Sequence, residues 1–464
     1  MTPVTPSTTI TVPDVGLVVL AGAPGSGKST FARAHFAPGE VFSSDAFRAL
    51  VSGDASDQGA SADAFAAMGA IVSARAKRGL FTVVDATNSS RADRAQWAQV
   101  AKEHHVPATL VIIDVPVGVA LDRVTARAAS GGRGVPVGVV KQMAQALDGV
   151  AGRARKEGFR RVRVVDGTRL GEVRVERTPL LSDARRFGGP FDVIGDVHGC
   201  AGELVELLGV LGYDVARDDA GRPVGAAHPK GRRAVFVGDL VDRGPDSPGV
   251  LRLVIGMCAG GSAMAVAGNH DVKFARALGG AKVTLNHGLD KTMEQLDAVV
   301  AEGERGFPDA VRAFIEGLPE HLVLDGGALV IAHAGLKEAY HGRESGAVRS
   351  FALYGDVTGE RTPQGFPVRR AWEAEYTGDA MVVYGHTPSV AAGWVNNTIC
   401  VDTACVFGGS LTALRYPERE LASVASGGTY APITAPLRDP AEVAAKAVAR
   451  AGAQSGTSGS LDGD

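Results

Sequence analysis

The chain has 464 residues, 45% hydrophobic and 6% aromatic, with 61 glycines and a formal net charge of −3. That length suggests two or three domains with enough apolar material for sizeable cores. The near-zero charge excludes a protein coated uniformly for a polyanion, so a nucleic-acid partner would need a local basic patch. Four cysteines, Cys200, Cys258, Cys400 and Cys405, lack C-x-x-C spacing and read as reduced buried thiols rather than disulfides or a zinc site. The opening MTPVTPSTTITVPDVG has neither a basic region nor a long apolar core, and no uncharged apolar run is long enough to span a bilayer. The expectation is a cytoplasmic protein with no membrane partner.

Leu17 to Ala21 read as a short buried strand, followed by Gly22-Ala23-Pro24-Gly25-Ser26-Gly27-Lys28-Ser29-Thr30 and a helix from Phe31. This is G-x-x-x-x-G-K-[ST] after a strand and before a helix. Backbone N–H groups and the helix N-terminus cradle phosphates there, Lys28 reaches the β/γ oxygens and Ser29 can ligate Mg²⁺. Gly22, Gly25, Ser26, Gly27, Lys28, Ser29 and Thr30 are therefore the candidate ATP-binding residues. Glu40 to Ser44 read as a strand ending in Asp45, with Arg48 one turn along. A carboxylate there suits the removal of a proton from an attacking hydroxyl; the alternative is a helix cap. Leu80 to Val84 form another apolar run, ending in Asp85, which would hold the Mg²⁺ shell or the loop itself.

Leu110 to Val115 read as a further strand. After it, Arg123 and Arg127 fall at i,i+4 on one helix face. They suit a lid that neutralises transition-state charge, or equally a solvated face. Gly131-Gly132-Arg133-Gly134 breaks that helix and adds Arg133. The densest basic run, Arg153 to Arg163, could guide a polyanion or form a salt-bridged surface. Gly188-Gly189-Pro190 marks a boundary. The expected division is 1–178, 188–428, and a Gly/Ser/Ala-rich flexible tail over 429–464 with room for a helical patch at 441–451.

The second half repeats one design at five strand ends: GDVHG (195–199), GDLVDRG (238–244), GNHD (268–271), AHAG (332–335) and GHTP (385–388). They offer Asp196, His198, Asp239, Asn269, His333 and His386, the oxygen and imidazole mixture that divalent transition metals prefer. One carboxylate in such a set can bridge two cations, and Asp239 is the natural bridge. A two-metal hydrolase follows as the first hypothesis. Asp402 would orient a ligand or simply hydrogen-bond a strand end.

Five motifs in this order resemble the binuclear metallophosphoesterases, on the branch with Ser/Thr phosphatases and dinucleoside tetraphosphatases. The two halves together resemble the bacterial polynucleotide 5′-kinase/3′-phosphatase that heals broken RNA ends. The stretches GKSTFA, VFSSDAFRALVS, TVVDATN, FDVIGDVHGC, GDLVDRGPDSP, HGLDKT, LYGDVTGE, VVYGHTP and DTACVFGG carry the likeness, from about Leu17 to Tyr416. The resemblance implies a P-loop kinase parallel sheet followed by an αββα metallophosphoesterase sandwich. It makes Asp45 the base for a 5′-hydroxyl, Lys28, Arg123 and Arg127 phosphate and lid contacts, and places Arg48 near the acceptor phosphate. It gives Asp196, His198 and Asp239 to one metal, and Asp239, Asn269, His333 and His386 to the other, with His270 and Arg243 on the scissile phosphate. It implies ATP and Mg²⁺ for the kinase and two Mn²⁺ or similar ions for the phosphatase. The implied partners are broken RNA (or DNA) ends, a separate RNA ligase or RNA 3′-end methyltransferase, and a second copy through the kinase. Relatives commonly carry a third, ligase module; no K-x-D-G nucleophile motif occurs in this sequence, so healing without sealing is expected.

Acting on opposite ends of one break, a phosphate adder and a phosphate remover cooperate; on one group they would form a futile cycle. The competing reading is a protein or dinucleoside-polyphosphate phosphatase with a regulatory ATP-binding P-loop. It expects phosphatase activity to fall when Lys28 is changed, whereas end healing expects independent modules. A non-enzymatic scaffold conflicts with the full complement of Lys28, Ser29, Asp45 and candidate metal ligands.

Overall fold

Leu17–Ala21 is buried at every position because it has strand neighbours on both edges and helices on both faces. In the computed structural model, which describes residues 8–456 apart from 364 and 366, this strand is the middle of a five-stranded sheet. The order is Val41–Ser43, Thr82–Asp85, Leu17–Ala21, Ala108–Asp114, Arg161–Asp166, and every pairing is parallel. Alternation along the strand sorts its side chains. Leu17, Val19 and Ala21 pack with Met68, Val72 and Trp97 on one face, while Val18 and Leu20 pack with Phe31 and Phe36 on the other. The chain leaves the central strand at the point where the neighbouring connections diverge, so the loop after it opens into a crevice at the strand ends. A second, two-stranded parallel pair, Thr8–Pro13 with Val173–Thr178, covers the same side as Phe31 through Ile10, Val12 and Val173.

This first compact unit comprises residues 1–180 with 343–345, and the second comprises 181–342 and 346–464. The second unit is built on two five-stranded sheets. One runs Ala263–Ala265, Arg233–Phe236, Phe191–Ile194, Ser410–Tyr416, Glu420–Ala425, with its first three strands parallel. The other runs His321–Leu324, Leu329–Ala332, Met381–Tyr384, Thr398–Cys400, Trp394–Val395. Val193, Val235 and Leu414 of the first sheet share a core with Leu322, Ile331, Val383 and Ile399 of the second. The outer face of the first sheet is covered by Ala201–Leu211 and Ser247–Ala259 through Leu204, Leu207 and Val254. The outer face of the second is covered by Gly346–Tyr354 and Trp372. The result is the αββα sandwich. All four cysteines are free thiols, and no helix among the described residues is long and apolar enough to cross a membrane.

Two expectations need correction. The strand before Asp45 spans only Val41–Ser43, and Asp45 lies in the first turn of helix Ser44–Ser52. There a carboxylate also complements the helix dipole. The expected flexible tail is largely structured as far as residue 456: Thr429 bridges to Phe407, Arg438 to Ser389, and Pro440–Gly456 is a helix. Average composition hid an apolar i,i+4 pair, Val443 and Ala447, that packs on Val395. Residues 457–464, the rest of that expected tail, lie outside the described residues.

Candidate active sites

The first site grows from the end of Leu17–Ala21. Gly25 and Gly27 have φ of 84° and 101°, a region glycine enters without strain. A side chain at Gly25 would meet the Ala120 carbonyl at 2.3 Å. Helix Lys28–His35 starts directly after the loop, so its free N–H groups face the crevice. Lys28 is buried and folds back, donating to Gly22 O at 2.8 Å and Ala23 O at 3.0 Å. Burial lowers its pKa to about 8, against the pull of Asp85, with Arg127 adding to the fall.

One cavity of about 910 Å³ brings together Lys28, Ser29, Asp45, Arg48, Asp85, Arg123, Arg127 and Arg133. Asp45 takes an ion pair from Arg48 and another from Arg133 Nη1 at 3.3 Å. Arg123 donates with both terminal nitrogens to Gly167 O at 3.1 Å. Arg127 Nε donates to Arg133 O at 3.0 Å, bracing the glycine-rich break. Four guanidinium groups, two carboxylates and a lysine at a helix N-terminus can hold a nucleoside triphosphate beside an acceptor hydroxyl. In the basic run, Glu157 takes a two-pronged bond from Arg94 at 2.8 and 2.9 Å and lies 4.0 Å from Arg153, so that stretch is in part salt-bridged.

The second site sits at the strand ends of the sandwich. His198, Asp239 and His386 all have positive φ, 45°, 48° and 69°, and so do Asp242 and Arg243, at 75° and 70°. Strained backbone at non-glycine residues persists only where surrounding structure over-determines it. Asp239 Oδ1 accepts from His270 N at 2.9 Å, and its Oδ2 lies 3.6 Å from His198 Nε2 and 3.3 Å from His333 Nε2. His333 Nε2 is also 3.0 Å from Asn269 Oδ1 and 3.0 Å from His386 Nδ1. Asp196 Oδ2 accepts from His386 N at 3.0 Å, while its Oδ1 is buried with no partner.

The donor set fits divalent cations on three observations. His198 and His333 each point Nδ1 at a backbone carbonyl, Val241 O at 2.8 Å and Val237 O at 3.1 Å. A neutral ring that donates there turns a bare Nε2 lone pair inward. Those lone pairs meet carboxylate and amide oxygens, a convergence of acceptors that only a cation or a proton satisfies. The guanidinium of Arg243 already acts as a substitute cation, donating to His198 Nε2 at 2.5 Å and His270 Nε2 at 3.0 Å. Finally, three buried carboxylates crowd together: burial, with Asp402 and Asp239 nearby, raises Asp196 well above the carboxylate range, and burial lifts Asp402 to about 6. Asp196, His198, Asp239, Asn269, His333 and His386 can hold a pair of divalent ions, and Asp402 Oδ1 accepts from Ala404 N at 3.1 Å behind them.

Several groups at this site were not singled out from sequence. Asp242 is fully buried; its Oδ2 takes the Nδ1 proton of His270 at 2.6 Å and its Oδ1 takes Thr292 Oγ1 at 2.8 Å. Asp271 caps its own helix, accepting from Gly268 N and Leu240 N at 3.0 and 2.9 Å. Arg369 Nη2 donates to His386 Nε2 at 2.9 Å. Asp242 and Asp271 lay inside quoted motifs; Arg369 carried no signal, because its partner is 17 residues away.

Residues 17–150 match the family described as AAA domain, and residues 189–409 match the calcineurin-like phosphoesterases. The asymmetrical bis(5′-nucleosyl)-tetraphosphatase PrpE of Anoxybacillus flavithermus is 46% identical over 236 residues, covering 51% of this chain and 94% of that protein. The chain belongs to the calcineurin-like phosphoesterases. PrpE of Bacillus subtilis is 44% identical over 236 residues, with 51% of this chain and 94% of that one covered. Among solved structures, a chain of a Pnkp1/Rnl/Hen1 complex has 25% identity and a TM-score of 0.21, over 26% of this chain and 41% of that one. Membership in the calcineurin-like phosphoesterases implies divalent metal ions at the second site, and the kinase-like P-loop domain ahead of it makes this an enzyme with two phosphate-handling units.

Proposed function

We propose that this phosphoesterase is a nucleic-acid end-healing enzyme that phosphorylates 5′-hydroxyl ends of RNA with ATP and removes 3′-phosphate or 2′,3′-cyclic phosphate. One observation carries the reading: a cavity that pairs a P-loop lysine with a solvent-accessible carboxylate, Asp45, shares a chain with a metallophosphoesterase centre. A sensor of ATP needs no acceptor-side carboxylate. A kinase does.

In the kinase unit, Asp45 removes the proton of the 5′-hydroxyl as its oxygen attacks the γ-phosphorus and the bond to ADP breaks. Lys28, Arg123 and Arg127 neutralise the charge that spreads over the transferring phosphoryl oxygens. Arg48 and Arg133 hold Asp45 and are near enough to take an acceptor phosphate. Ser29 and Asp85 would hold Mg²⁺.

In the phosphatase unit, the six candidate ligands would hold two divalent ions, Mn²⁺ by preference, which supply Lewis acidity and an activated water. Arg243 offers its planar fork to the phosphate oxygens. Asp242 accepts from His270 Nδ1, which turns Nε2 toward the same phosphate; once Arg243 has turned to the phosphate oxygens, Nε2 takes a proton from solvent and can pass that proton to the leaving 3′-oxygen. A second reading, hydrolysis of dinucleoside polyphosphates, is favoured by the 46% identity to a protein of that name. An oligoribonucleotide bearing 5′-OH and 3′-phosphate, offered with ATP, Mg²⁺ and Mn²⁺ beside diadenosine tetraphosphate, separates the two. We expect 5′ labelling and 3′ phosphate release. Failure to label the 5′ end removes the healing assignment, and exclusive cleavage of the tetraphosphate installs the second reading.

A further inference from the structure

Beside the metal-ligand cluster, a cavity of about 260 Å³ is lined by Arg369, Arg370 and Arg438, by the carboxylates Asp356 and Glu373, and by His386. Its arginines are not equally committed. Arg438 is tied to Glu373 and donates to Tyr384 Oη at 3.0 Å. Arg370 lies 3.9 Å from Asp356. Arg369 ends the short strand Pro367–Arg369 and has only neutral acceptors, Tyr354 O at 2.9 Å and His386 Nε2 at 2.9 Å. Among the described residues no carboxylate lies within ion-pair distance of it. A guanidinium at an open mouth with no counter-charge is half of an anion site.

Its bond to His386 is conditional. His386 turns Nδ1 toward His333, so if the ring were to hold a cation through Nδ1, its proton would lie on Nε2. Donor would then face donor, and Arg369 loses that acceptor while staying anchored at Tyr354. Arg243 already serves the cluster from His198 and His270, so the phosphate being cleaved has its fork.

We propose that Arg369 and the cavity beside it bind a second phosphate group of the substrate, on the side of the leaving group. This rests on the phosphatase reading above and deepens it. The second group is the neighbouring phosphodiester of a polynucleotide or an inner phosphate of a dinucleoside polyphosphate.

The test measures binding rather than turnover. Manganese-loaded full-length protein is titrated, by fluorescence polarisation, with two 5′-labelled ligands ending in a non-hydrolysable 3′-methylene phosphonate. One is a mononucleoside; the other is a dinucleotide that adds a single phosphodiester. The 5′ label keeps both out of the kinase acceptor position. Arg369→Gln keeps a donor for Tyr354 and removes the charge. It should weaken the dinucleotide at least fivefold more than the mononucleoside, and Arg369→Lys should recover most of that difference. Equal weakening of both ligands, or a fall in bound manganese counted by electron paramagnetic resonance, would mark a positioning role and overturn the proposal. So would an unchanged dinucleotide. Methylene-bridged diadenosine tetraphosphate in the same assay identifies the source of the second phosphate by which ligand loses more. If wild type releases no phosphate from 3′-phosphorylated RNA but this analogue loses affinity in Arg369→Gln, the second-phosphate site stands and the RNA reading falls. If no ligand distinguishes Arg369→Gln from wild type, the site falls and the RNA reading is untouched.

Discussion

The two sites place their strain on different residues. Around the P-loop, left-handed φ values fall on Gly25 and Gly27, whereas at the metal cluster they fall not only on Gly199, Gly238 and Gly335 but also on His198, Asp239, Asp242, Arg243 and His386. The reason is which atoms bind. A phosphate cradled by backbone N–H groups is approached best by residues without Cβ. A cation is held by side chains, so the tight turns must be made by residues that pay about 1–3 kcal/mol each to adopt them. The carboxylates differ in the same sense: the Asp45 side chain is 55% exposed and the Asp239 side chain 3%. Arg48 is buried, but Asp45 is open to solvent, and its more exposed ion pair, with Arg133, is worth little and exchanges readily. The buried cluster is held in place by the fold around it.

That contrast can be broken most directly at Asp239. Asp239→Ala should lower 3′ phosphate release by at least about a thousandfold, since groups acting as one catalytic unit fail together. The 5′ labelling of the same preparation should stay within about twofold of wild type, because each unit has its own hydrophobic core. Lys28→Ala should do the reverse, costing roughly 10²–10³ in 5′ labelling. Phosphatase activity that fell with it would favour an ATP-sensing P-loop over a kinase.

Asp242→Asn sharpens the comparison within the metal site. It removes the acceptor that fixes the His270 ring proton, and a drop of about 10–100-fold in phosphatase kcat is expected. A kcat equal to wild type would remove His270 from the proton path. Metal removal should separate the units thermally. Dialysis against chelator should lower the unfolding midpoint of the phosphatase unit, where ions at a hundredfold excess over Kd contribute about 2.7 kcal/mol. The P-loop unit's transition, followed by calorimetry, should not respond to Mn²⁺. A common shift of both transitions would mean that the units unfold together.

The smallest effect lies away from both centres. His321 is buried, takes a bond from Gly342 N at 3.1 Å, and burial brings its pKa down to about 3. Its folded value is below the unfolded one, so the unfolded chain binds the extra proton. Stability is complete above about pH 6.5 and declines as pH falls toward 3. His321→Gln should flatten that decline by about one proton in the pH dependence of unfolding free energy. An unchanged slope would assign the acid sensitivity elsewhere.

The strand–loop–helix at Leu17–Thr30 and the five strand-end motifs were readable because their information is local: apolar runs of strand length, glycines at forced turns, and liganding residues a fixed step beyond each strand. The helical patch expected at 441–451 lies within the helix Pro440–Gly456, but its docking was not legible, because the apolar pair Val443 and Ala447 is diluted by small residues and finds its partner at Val395, far along the chain.

Sequence alone determined that Lys28, Asp239 and the histidines are available, and that α/β units would carry them, since composition and spacing are properties of a single segment. Only tertiary structure decided what meets what: the lone pairs of His333 and His386 turned onto one another, Arg243 bridging two imidazoles, and Arg369 reaching His386 without a counter-charge. Those relations depend on sheet register and on side chains brought together from distant segments, and no local pattern encodes a distance between them.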